Sequence, residues 1–347
     1  MTAFDLASYE PERILVCQQR QIGDVLLATP IFRLLKHRYA QAEIHVFTEE
    51  KCVPLLLENP FIDTIHTIIK QQGIVKQIAF YRSIARCRFD LVINFQQLPR
   101  CRTMTFFSRA HVRLSFGGGL INRLLYTHTP LPAQGYACCT KASLLAPLGI
   151  TYNGERPEIY LTHAERSQAA LMLTRAGMRN GAKLISIDST HRRSSKRWPA
   201  DRWARLIALL SEAHHGTMQF VLLCGPGEKR EILQLRDLCI KRGVKENYLL
   251  MPDFSSNIRL SAAAMALASL HIGGCSAPRH IAVALGVPSL IIPGASGTEW
   301  RCPMPMHQEL RPQLTCQPCS KIACNDPQCL SRVTPEEVFA ATMNMLA

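Results

Sequence analysis

The sequence predicts an α/β protein built from two doubly wound domains. The chain has 347 residues, more than a single hydrophobic core usually fills. Buried-strand patterns alternate with helical patterns along its length, which is typical of parallel sheets covered by helices. Glycine, asparagine and proline cluster at residues 149–157 and interrupt this alternation. We therefore expect one domain over residues 1–154 and a second over 155–347.

The first series of elements begins with a buried strand at residues 13–19. A mostly apolar helix follows at 23–38, and Pro30 predicts a bend in it. Further strands are expected at 42–48 and 89–95, where apolar runs lie between polar segments.

The second series contains five predicted strands and five predicted helices. The strands are expected at 183–188, 218–224, 248–251, 270–273 and 287–293, and the first four helices at 201–213, 228–241, 258–268 and 279–285. Thr334 and Glu337 have the spacing of a capping box, which predicts the start of a last helix. This last helix is the element that we expect to be able to pack back on the first domain.

Composition and charge restrict the class of protein. Hydrophobic residues form 47% of the chain and the formal net charge is +14, which indicates a globular protein with a polyanionic partner: nucleic acid, anionic lipid or phosphorylated sugar. Helix-turn-helix, RNA-binding and zinc-finger patterns are missing, which disfavours nucleic acid. The first strand is not followed by G-x-G-x-x-G, which disfavours a dinucleotide dehydrogenase. Without an apolar export signal, we expect a cytosolic location and reduced thiols or metal ligands for the fourteen cysteines.

Asp24 follows the first predicted strand in the segment QQRQIGD. Gly23 allows a tight turn there, and a carboxylate is electrostatically favourable at a helix start. A helix cap is the common use of such an aspartate. The alternative is a general base, which requires a carboxylate within reach of a substrate hydroxyl. The residues alone leave both interpretations open.

Two later loops have the chemistry of anion sites. The segment STHRRSSKRWP at 189–199 joins hydroxyl side chains to basic ones, including Lys196, which suits a diphosphate or a solvated basic loop. Its place after a strand favours binding. The segment GGCSAPRH at 273–280 opens a helix, whose first amides can bind an anion, although a purely structural turn has the same pattern.

Four cysteines lie close together near the end of the chain. Four thiolates can bind zinc tetrahedrally, so a structural zinc is one interpretation. Only one spacing is a regular C-x-x-C, and reduced thiols in a proline-rich loop are the alternative. The four residues are Cys316, Cys319, Cys324 and Cys329.

Taken together, these segments resemble glycosyltransferase family 9, the lipopolysaccharide heptosyltransferases. In the first half the resemblance lies in QRQIGDVLLATPIFRLLKHRY, AEIHVFTEE, LLLENPFIDTI and FDLVINFQ. In the second half it lies in KRWPADRWARLIALL, VLLCGPGEKREI, GGCSAPRHIAVALGVPSLIIPG and the cysteine-containing segment. These segments keep the family's order from about residue 12 to residue 345.

The resemblance implies a GT-B fold, in which two Rossmann-like domains face a central cleft. It implies an inverting, single-displacement transfer of heptose from ADP-heptose to an anionic lipopolysaccharide core acceptor, with no metal required for catalysis. The acceptor is expected on the first domain and the nucleotide-sugar on the second. The expected location is cytoplasmic and peripheral, on the inner face of the cytoplasmic membrane.

The resemblance also implies roles for individual residues. Asp24 matches the catalytic base, and Lys196 matches the lysine that neutralises the donor phosphates, so the two should meet across the cleft. Glu228 matches an acidic residue at the donor nucleoside. The other residues of the implied donor and acceptor sites are Ser189, Thr190, Ser276, Ala277 and His280 for the donor, and Arg20 and Gly23 for the acceptor.

The chain departs from the family pattern at two positions of the donor loop. Cys275 stands where the family has an aspartate that contacts the donor sugar, and Ala277 stands where it has glycine. Another nucleotide-hexose donor is therefore an alternative. A catalytically silent nucleotide- or lipid-binding relative is the alternative from a different class of protein.

Overall fold

The computed structural model describes residues 6–68, 73–317 and 319–347. The chain divides into two compact units, Met1–Tyr160 and Leu161–Ala347. The predicted boundary lies earlier, after residue 154. The segment up to Tyr160 stays with the first unit because Glu158 is held there: its backbone N–H donates to Thr29 Oγ1 at 2.8 Å, and its carboxylate pairs with Arg33 at 2.5 Å.

The first unit is a five-stranded parallel sheet with the order β3-β2-β1-β4-β5. Its strands are β1 (Arg13–Cys17), β2 (Glu43–Glu49), β3 (Thr64–Ile68), β4 (Leu91–Asn94) and β5 (Val112–Ser115). Its helices are α1 (Ile22–Leu26), α2 (Thr29–Arg38), α3 (Ile74–Ala85), α4 (Pro99–Ser108), α5 (Leu120–Leu125) and α6 (Ala137–Ala142). Ile14 and Val16 join one apolar cluster and Leu15 joins another, so β1 is buried on both faces, as its continuous apolar run requires.

The prediction of one bent helix at residues 23–38 is wrong, because the structure has two helices there. α1 ends at Leu26, and α2 begins at Thr29 with Pro30 in its first turn. Proline lacks an N–H and fits the first turn of a helix, where that group has no partner in the helix. The proline therefore starts a new helix.

The second unit is a six-stranded parallel sheet with the order β11-β10-β9-β6-β7-β8. Its strands are β6 (Lys183–Asp188), β7 (Met218–Leu223), β8 (Leu249–Leu250), β9 (Leu270–Gly274), β10 (Ser289–Ile292) and β11 (His307–Glu309). Its helices are α7 (His163–Arg175), α8 (Ala200–Ala213), α9 (Lys229–Lys241), α10 (Ile258–Met265), α11 (Ala277–Leu285), α12 (Gln328–Ser331) and α13 (Pro335–Leu346). No helix in these described ranges is both long and apolar enough to cross a membrane.

Helix α13 begins with the predicted capping box, which is confirmed. Glu337 N–H donates to Thr334 Oγ1 at 3.2 Å, and Thr334 N–H donates to the Glu337 carboxylate at 2.8 Å. α13 packs on α8, and Val338 is fully buried in the apolar core that Trp203 and Leu206 of α8 also form. The last helix is therefore part of the core of the second unit.

Each sheet has a switch point where the strand order reverses, between β1 and β4 in the first unit and between β6 and β9 in the second. Ligands of open α/β sheets bind beyond the carboxyl ends of the strands at such points. The segments that follow β1, β6 and β9 contain Asp24, Lys196 and Ser276 respectively. The topology therefore places each predicted loop at the ligand-binding edge of its own sheet.

Candidate active site

The turn between β1 and α1 positions Asp24 in the first unit. Asp24 is half-buried in the first turn of α1, and its carboxylate accepts a hydrogen bond from Gln21 N–H at 3.3 Å. Gly23 lies in the same turn, and Arg20 is exposed just before it, with its backbone N–H donating to Gln96 at 2.8 Å. One oxygen of Asp24 thus serves as a cap, which is compatible with a catalytic role for the carboxylate.

Lys141 on α6, which the sequence analysis missed, faces this turn. Its Nζ donates to Gln18 Oε1 at 2.7 Å and lies 5.3 Å from the centre of the Phe95 ring. Burial lowers the pKa of Lys141, and the negative charge of Asp24 acts in the opposite direction. The turn therefore joins a carboxylate to a nearby cation. The sequence carries no spacing signal for this pair because α6 lies far along the chain.

A hydrogen-bonded cluster surrounds Asp188 at the carboxyl end of β6. Asp188 is 4% exposed. The Ser276 hydroxyl donates to one of its oxygens, and the Thr190 hydroxyl lies 3.5 Å from the other. Thr190 donates to Glu228 at 2.7 Å, and Gly225 N–H donates to the same Glu228 oxygen at 2.8 Å. Three residues of the predicted donor site, Thr190, Glu228 and Ser276, therefore lie together.

Asp188 is also missing from the predicted site, because its place in the sequence marks it only as the end of a strand. Burial raises its pKa to about 7; the hydrogen bond from Ser276 opposes this shift and the charge of Glu228 adds to it. Such a pKa makes Asp188 a mixture of protonated and ionised forms near neutral pH. An acidic residue ending a buried strand at a switch point was the available signal.

The basic loop (residues 189–199) is held by contacts to the backbone of the loops after β9 and β10. His191 Nε2 lies 3.2 Å from the Cys275 carbonyl oxygen, and Ala295 N–H donates to the Ser195 carbonyl at 3.0 Å. Gly294 has a φ of +55°, and a Cβ there would lie 2.6 Å from the Ser195 oxygen, so only glycine fits. These contacts fix the backbone next to Lys196. Burial lowers the pKa of the half-buried Lys196 side chain.

The start of α11 holds the remaining predicted donor residues. Ser189 is half-buried after β6, and Ala277 opens the helix without a positive φ, so alanine is compatible with this position. His280 is buried, and burial lowers its pKa to about 3, which keeps it neutral. Its ring lies 5.9 Å from the Trp300 ring, edge-on. Among the described residues, none partners its Nδ1 atom.

Cys275 takes part in a buried polar group beside this loop. Arg279 Nη1 donates to Cys275 Sγ at 3.4 Å, and Arg279 pairs with Glu309 at 2.5 Å. Side chains of Arg279 and Glu309 are 3% and 4% exposed. The thiol at the position of the family's aspartate is therefore directed at a buried ion pair, while the carboxylate next to Ser276 is that of Asp188.

The cysteine loop (residues 316–329) is hydrogen-bonded to the basic loop, since Ser195 Oγ donates to the carbonyl of Lys321 at 2.6 Å. Pro318 lies outside the described residues. Of the four cysteines, Cys316 and Cys324 are exposed, Cys319 is half-buried and Cys329 is buried. Within the described ranges, no three of their thiols come within 4.8 Å of one another. The structural zinc stays a prediction.

Two α/β units, each with a parallel sheet and polar loops at its switch point, have the architecture of GT-B glycosyltransferases. The chain belongs to glycosyltransferase family 9 (heptosyltransferase), whose model matches residues 77–329. It is therefore a glycosyltransferase, and the predicted family, fold class and type of enzyme are confirmed. Asp24 and Lys196 belong to different units, and their meeting across a cleft stays a prediction.

Individual relatives agree with this assignment. The chain is 27% identical over 290 residues to lipopolysaccharide heptosyltransferase 3 of Escherichia coli (strain K12), covering 80% of this chain and 81% of that protein. Its fold matches the glycosyl transferase family 9 structure from Veillonella parvula with a TM-score of 0.81, 22% identity and 99% of each chain covered. It matches E. coli ADP-heptose lipopolysaccharide heptosyltransferase II with a TM-score of 0.78 and 17% identity, covering 96% of this chain and 98% of that one.

Proposed function

We propose that this glycosyltransferase transfers heptose from ADP-heptose to a lipopolysaccharide core acceptor, with inversion at the anomeric carbon. The observation that carries the proposal is the cluster of Thr190, Glu228 and Ser276 around Asp188, at the switch point of the second unit. The names of two relatives support the substrate class: lipopolysaccharide heptosyltransferase 3 and ADP-heptose lipopolysaccharide heptosyltransferase II.

In the proposed mechanism, Asp24 takes the proton of the acceptor hydroxyl as its oxygen attacks the anomeric carbon. The hydroxyl has a pKa far above 7, so a fixed base lowers the barrier. The bond from the sugar to the diphosphate breaks in the same step. Lys196 stabilises the negative charge that develops on the leaving nucleoside diphosphate, and stabilising charge where it develops raises kcat.

The donor is proposed to lie against the second unit. The first amides of α11 suit a diphosphate, and neutral His280 offers Nδ1 to a polar group of the donor. Glu228 is proposed to bind the nucleoside. Asp188 is proposed to hold Ser276 and Thr190 in place for the donor, because their hydroxyls face its two carboxylate oxygens.

We propose that the enzyme binds its acceptor at the membrane surface, on the inner face of the cytoplasmic membrane. α5 exposes Leu120, Ile121 and Leu124 by 73%, 64% and 78%, with Arg123 beside them. Exposed apolar side chains next to basic ones favour the surface of an anionic bilayer. Together with a net charge of +14, this surface supports peripheral binding.

The test is a transfer assay with defined donors. The protein is incubated with ADP-heptose or with ADP-, UDP- and GDP-hexoses and a truncated core glycolipid, and the lipid is analysed by mass spectrometry. We expect the lipid to gain the mass of one heptosyl residue, which is heptose minus water, and to do so only when ADP-heptose is the donor. A product formed with a hexose donor would identify a different transferase of the family. Donor binding without any product would identify a silent relative.

A further inference from the structure

A second group of reactive side chains lies on the first unit, away from the Asp24 turn. It contains His45, His66 and Cys87, whose candidate ligand atoms all lie within 4.8 Å of one another. His45 Nδ1 lies 2.9 Å from His66 Nε2, and the two rings are stacked with their centroids 5.2 Å apart. His45 is 6% exposed, and the other two side chains are half-buried.

The fold explains why these three residues meet. In the parallel pair β2 and β3, His66 lies opposite Phe47, so His66 and His45 share one face of the sheet. α3 ends at Ala85, and the chain then reaches Cys87 before β4. Arg13 donates to the Cys87 carbonyl at 3.3 Å, which holds the backbone at this point.

The surroundings of these three side chains are compatible with a bound metal ion. Glu43 lies 3.6 Å from His45 Nε2, so the carboxylate orients the ring and leaves Nδ1 facing His66. A carboxylate behind a ligating histidine is a common outer partner of protein metal sites. The Phe89 ring lies edge-on to His45 at 5.1 Å and gives the group an apolar boundary. Burial lowers the pKa of both histidines, that of His66 to about 4, which keeps them in the neutral form that binds metals.

We propose that His45, His66 and Cys87 bind one divalent metal ion of borderline softness, with Zn²⁺ as the favoured occupant. Two imidazole nitrogens and a thiolate are typical zinc ligands, and a water molecule would complete a tetrahedron. Binding releases the Cys87 thiol proton to solvent and replaces the contact between the two imidazoles. With bonds of about 2.0–2.3 Å, the ion would draw the Cys87 sulfur towards the two ring nitrogens, which lie 2.9 Å apart without it.

The expected role of this metal is structural. His45 is near the amino end of β2, whereas Asp24 follows the carboxyl end of β1. The ion would join β2 and β3 to the end of α3, and so stabilise one edge of the first sheet. Removing it should lower the melting temperature of the protein and leave turnover of the folded enzyme nearly unchanged.

The test uses the full chain, stripped with a chelator and titrated with Co²⁺. A thiolate-to-cobalt charge-transfer band should appear, saturate at one equivalent for this site and disappear on addition of Zn²⁺. Cys87→Ser should abolish the band and His66→Gln should weaken binding by more than 100-fold, because each removes a ligand. Glu43→Gln, which removes only the outer partner, should weaken binding by about 10–100-fold. Cys87→His should restore Zn²⁺ binding without the charge-transfer band.

Matched controls separate this site from other thiols and from general damage. Cys139→Ser removes a half-buried cysteine of the same unit, and His111→Gln removes an exposed histidine. Both should keep the band, as should Cys319→Ser in the cysteine loop. Circular dichroism confirms that each variant is folded. A band of unchanged intensity and stoichiometry in folded Cys87→Ser, or one that disappears completely in Cys319→Ser, would overturn the proposal.

Discussion

The turn at Asp24 and the cluster at Asp188 occupy corresponding places in the two units, next to the central strand of each sheet, but they are built differently. Asp24 is half-buried and caps its own helix through one oxygen. Asp188 is 4% exposed and lies between the hydroxyls of Ser276 and Thr190. One carboxylate is open to a ligand, and the other is enclosed by the protein.

This difference shows how position and solvation divide the tasks of two similar side chains. Burial raises the pKa of Asp188 to about 7, so its charge depends on its neighbours and on pH. Its fixed hydrogen bonds suit a residue that holds a binding loop in one shape. A carboxylate that keeps contact with solvent and has Lys141 nearby suits a residue that must accept a proton from a substrate.

The largest effect is expected at the open carboxylate. Asp24→Asn keeps the size of the side chain and a capping oxygen but removes the base. We expect kcat to fall by roughly 10²–10⁴-fold, with donor affinity and melting temperature nearly unchanged. Turnover is measured on the truncated glycolipid, with Glu12→Gln as an exposed acidic control. Near wild-type turnover would exclude Asp24 as the base, and early melting would show that it acts mainly as a cap.

A smaller effect is expected in the basic loop. Lys196→Ala should lower kcat by about 10²-fold and weaken donor binding at the same time, because its charge meets the diphosphate before and during bond breaking. Arg192→Ala, an exposed change in the same loop, is the matched control. Initial rates and calorimetric titration with ADP measure the two effects. Equal losses in both variants would indicate a general contribution of loop charge.

The enclosed carboxylate should appear as a pH dependence of stability. Its folded pKa of about 7 lies above the ordinary aspartate value of 3.8, so the folded state binds more protons than the unfolded state between these two pH values. The ionisation of buried Asp188 therefore lowers the free energy of unfolding progressively as pH rises through this range. Relative to wild type, Asp188→Asn should become more stable from about pH 4 to pH 7. Urea unfolding at several pH values measures this difference.

The stability of the variant must be compared with that of wild type at each pH, because buried histidines lower the stability of both proteins as pH falls. His271 and His280 have pKa values lowered to about 3, so both proteins lose stability as pH falls below about 6.5. Asp237→Asn, an exposed change, should show a constant difference from wild type. A pH-independent difference for Asp188→Asn would mean that folding does not raise the pKa of Asp188.

The smallest effect is expected at the exposed surface of α5. Leu120→Ser and Leu124→Ser should each reduce binding to anionic liposomes by about threefold to tenfold, since each removes exposed apolar area. Binding of the unaltered protein should weaken as salt rises, because exposed charges are screened within about 8 Å at physiological ionic strength. Flotation assays measure the binding to vesicles. Equal binding to neutral and anionic vesicles would contradict the proposed role of this surface.

Strands with uninterrupted apolar runs could be predicted from sequence, whereas half-polar ones could not. β6 was predicted with the bounds Lys183–Asp188 that the structure shows, because all residues after its first are buried. β3, Thr64–Ile68, was not predicted, since four of its five residues are only half-buried and three of the five are polar. The split between α1 and α2 required knowing whether Pro30 lies inside a helix or begins one.

The candidate site shows the same limit. The segments after β6 and β9, which contain Thr190 and Ser276, had the residue types of anion sites, and the family resemblance named these two residues and Glu228 as donor residues. Asp188 and Lys141 were missed, since their importance comes from burial and from neighbours distant in sequence. Sequence patterns indicate which loop is used, but the protonation of a group depends on the three-dimensional surroundings.

The central place of β6 also has a consequence during synthesis. β6 pairs on one side with β9, about 85 residues further along the chain, as the contact between Ser186 and His271 shows. At a translation rate of about 5–20 residues per second, β6 emerges roughly 4–17 s before this partner exists. During that interval one edge of an apolar strand has no native neighbour, and such edges recruit other chains. A nascent chain stalled before β9 should therefore expose a site for chaperones or for aggregation, even when its first unit has already folded.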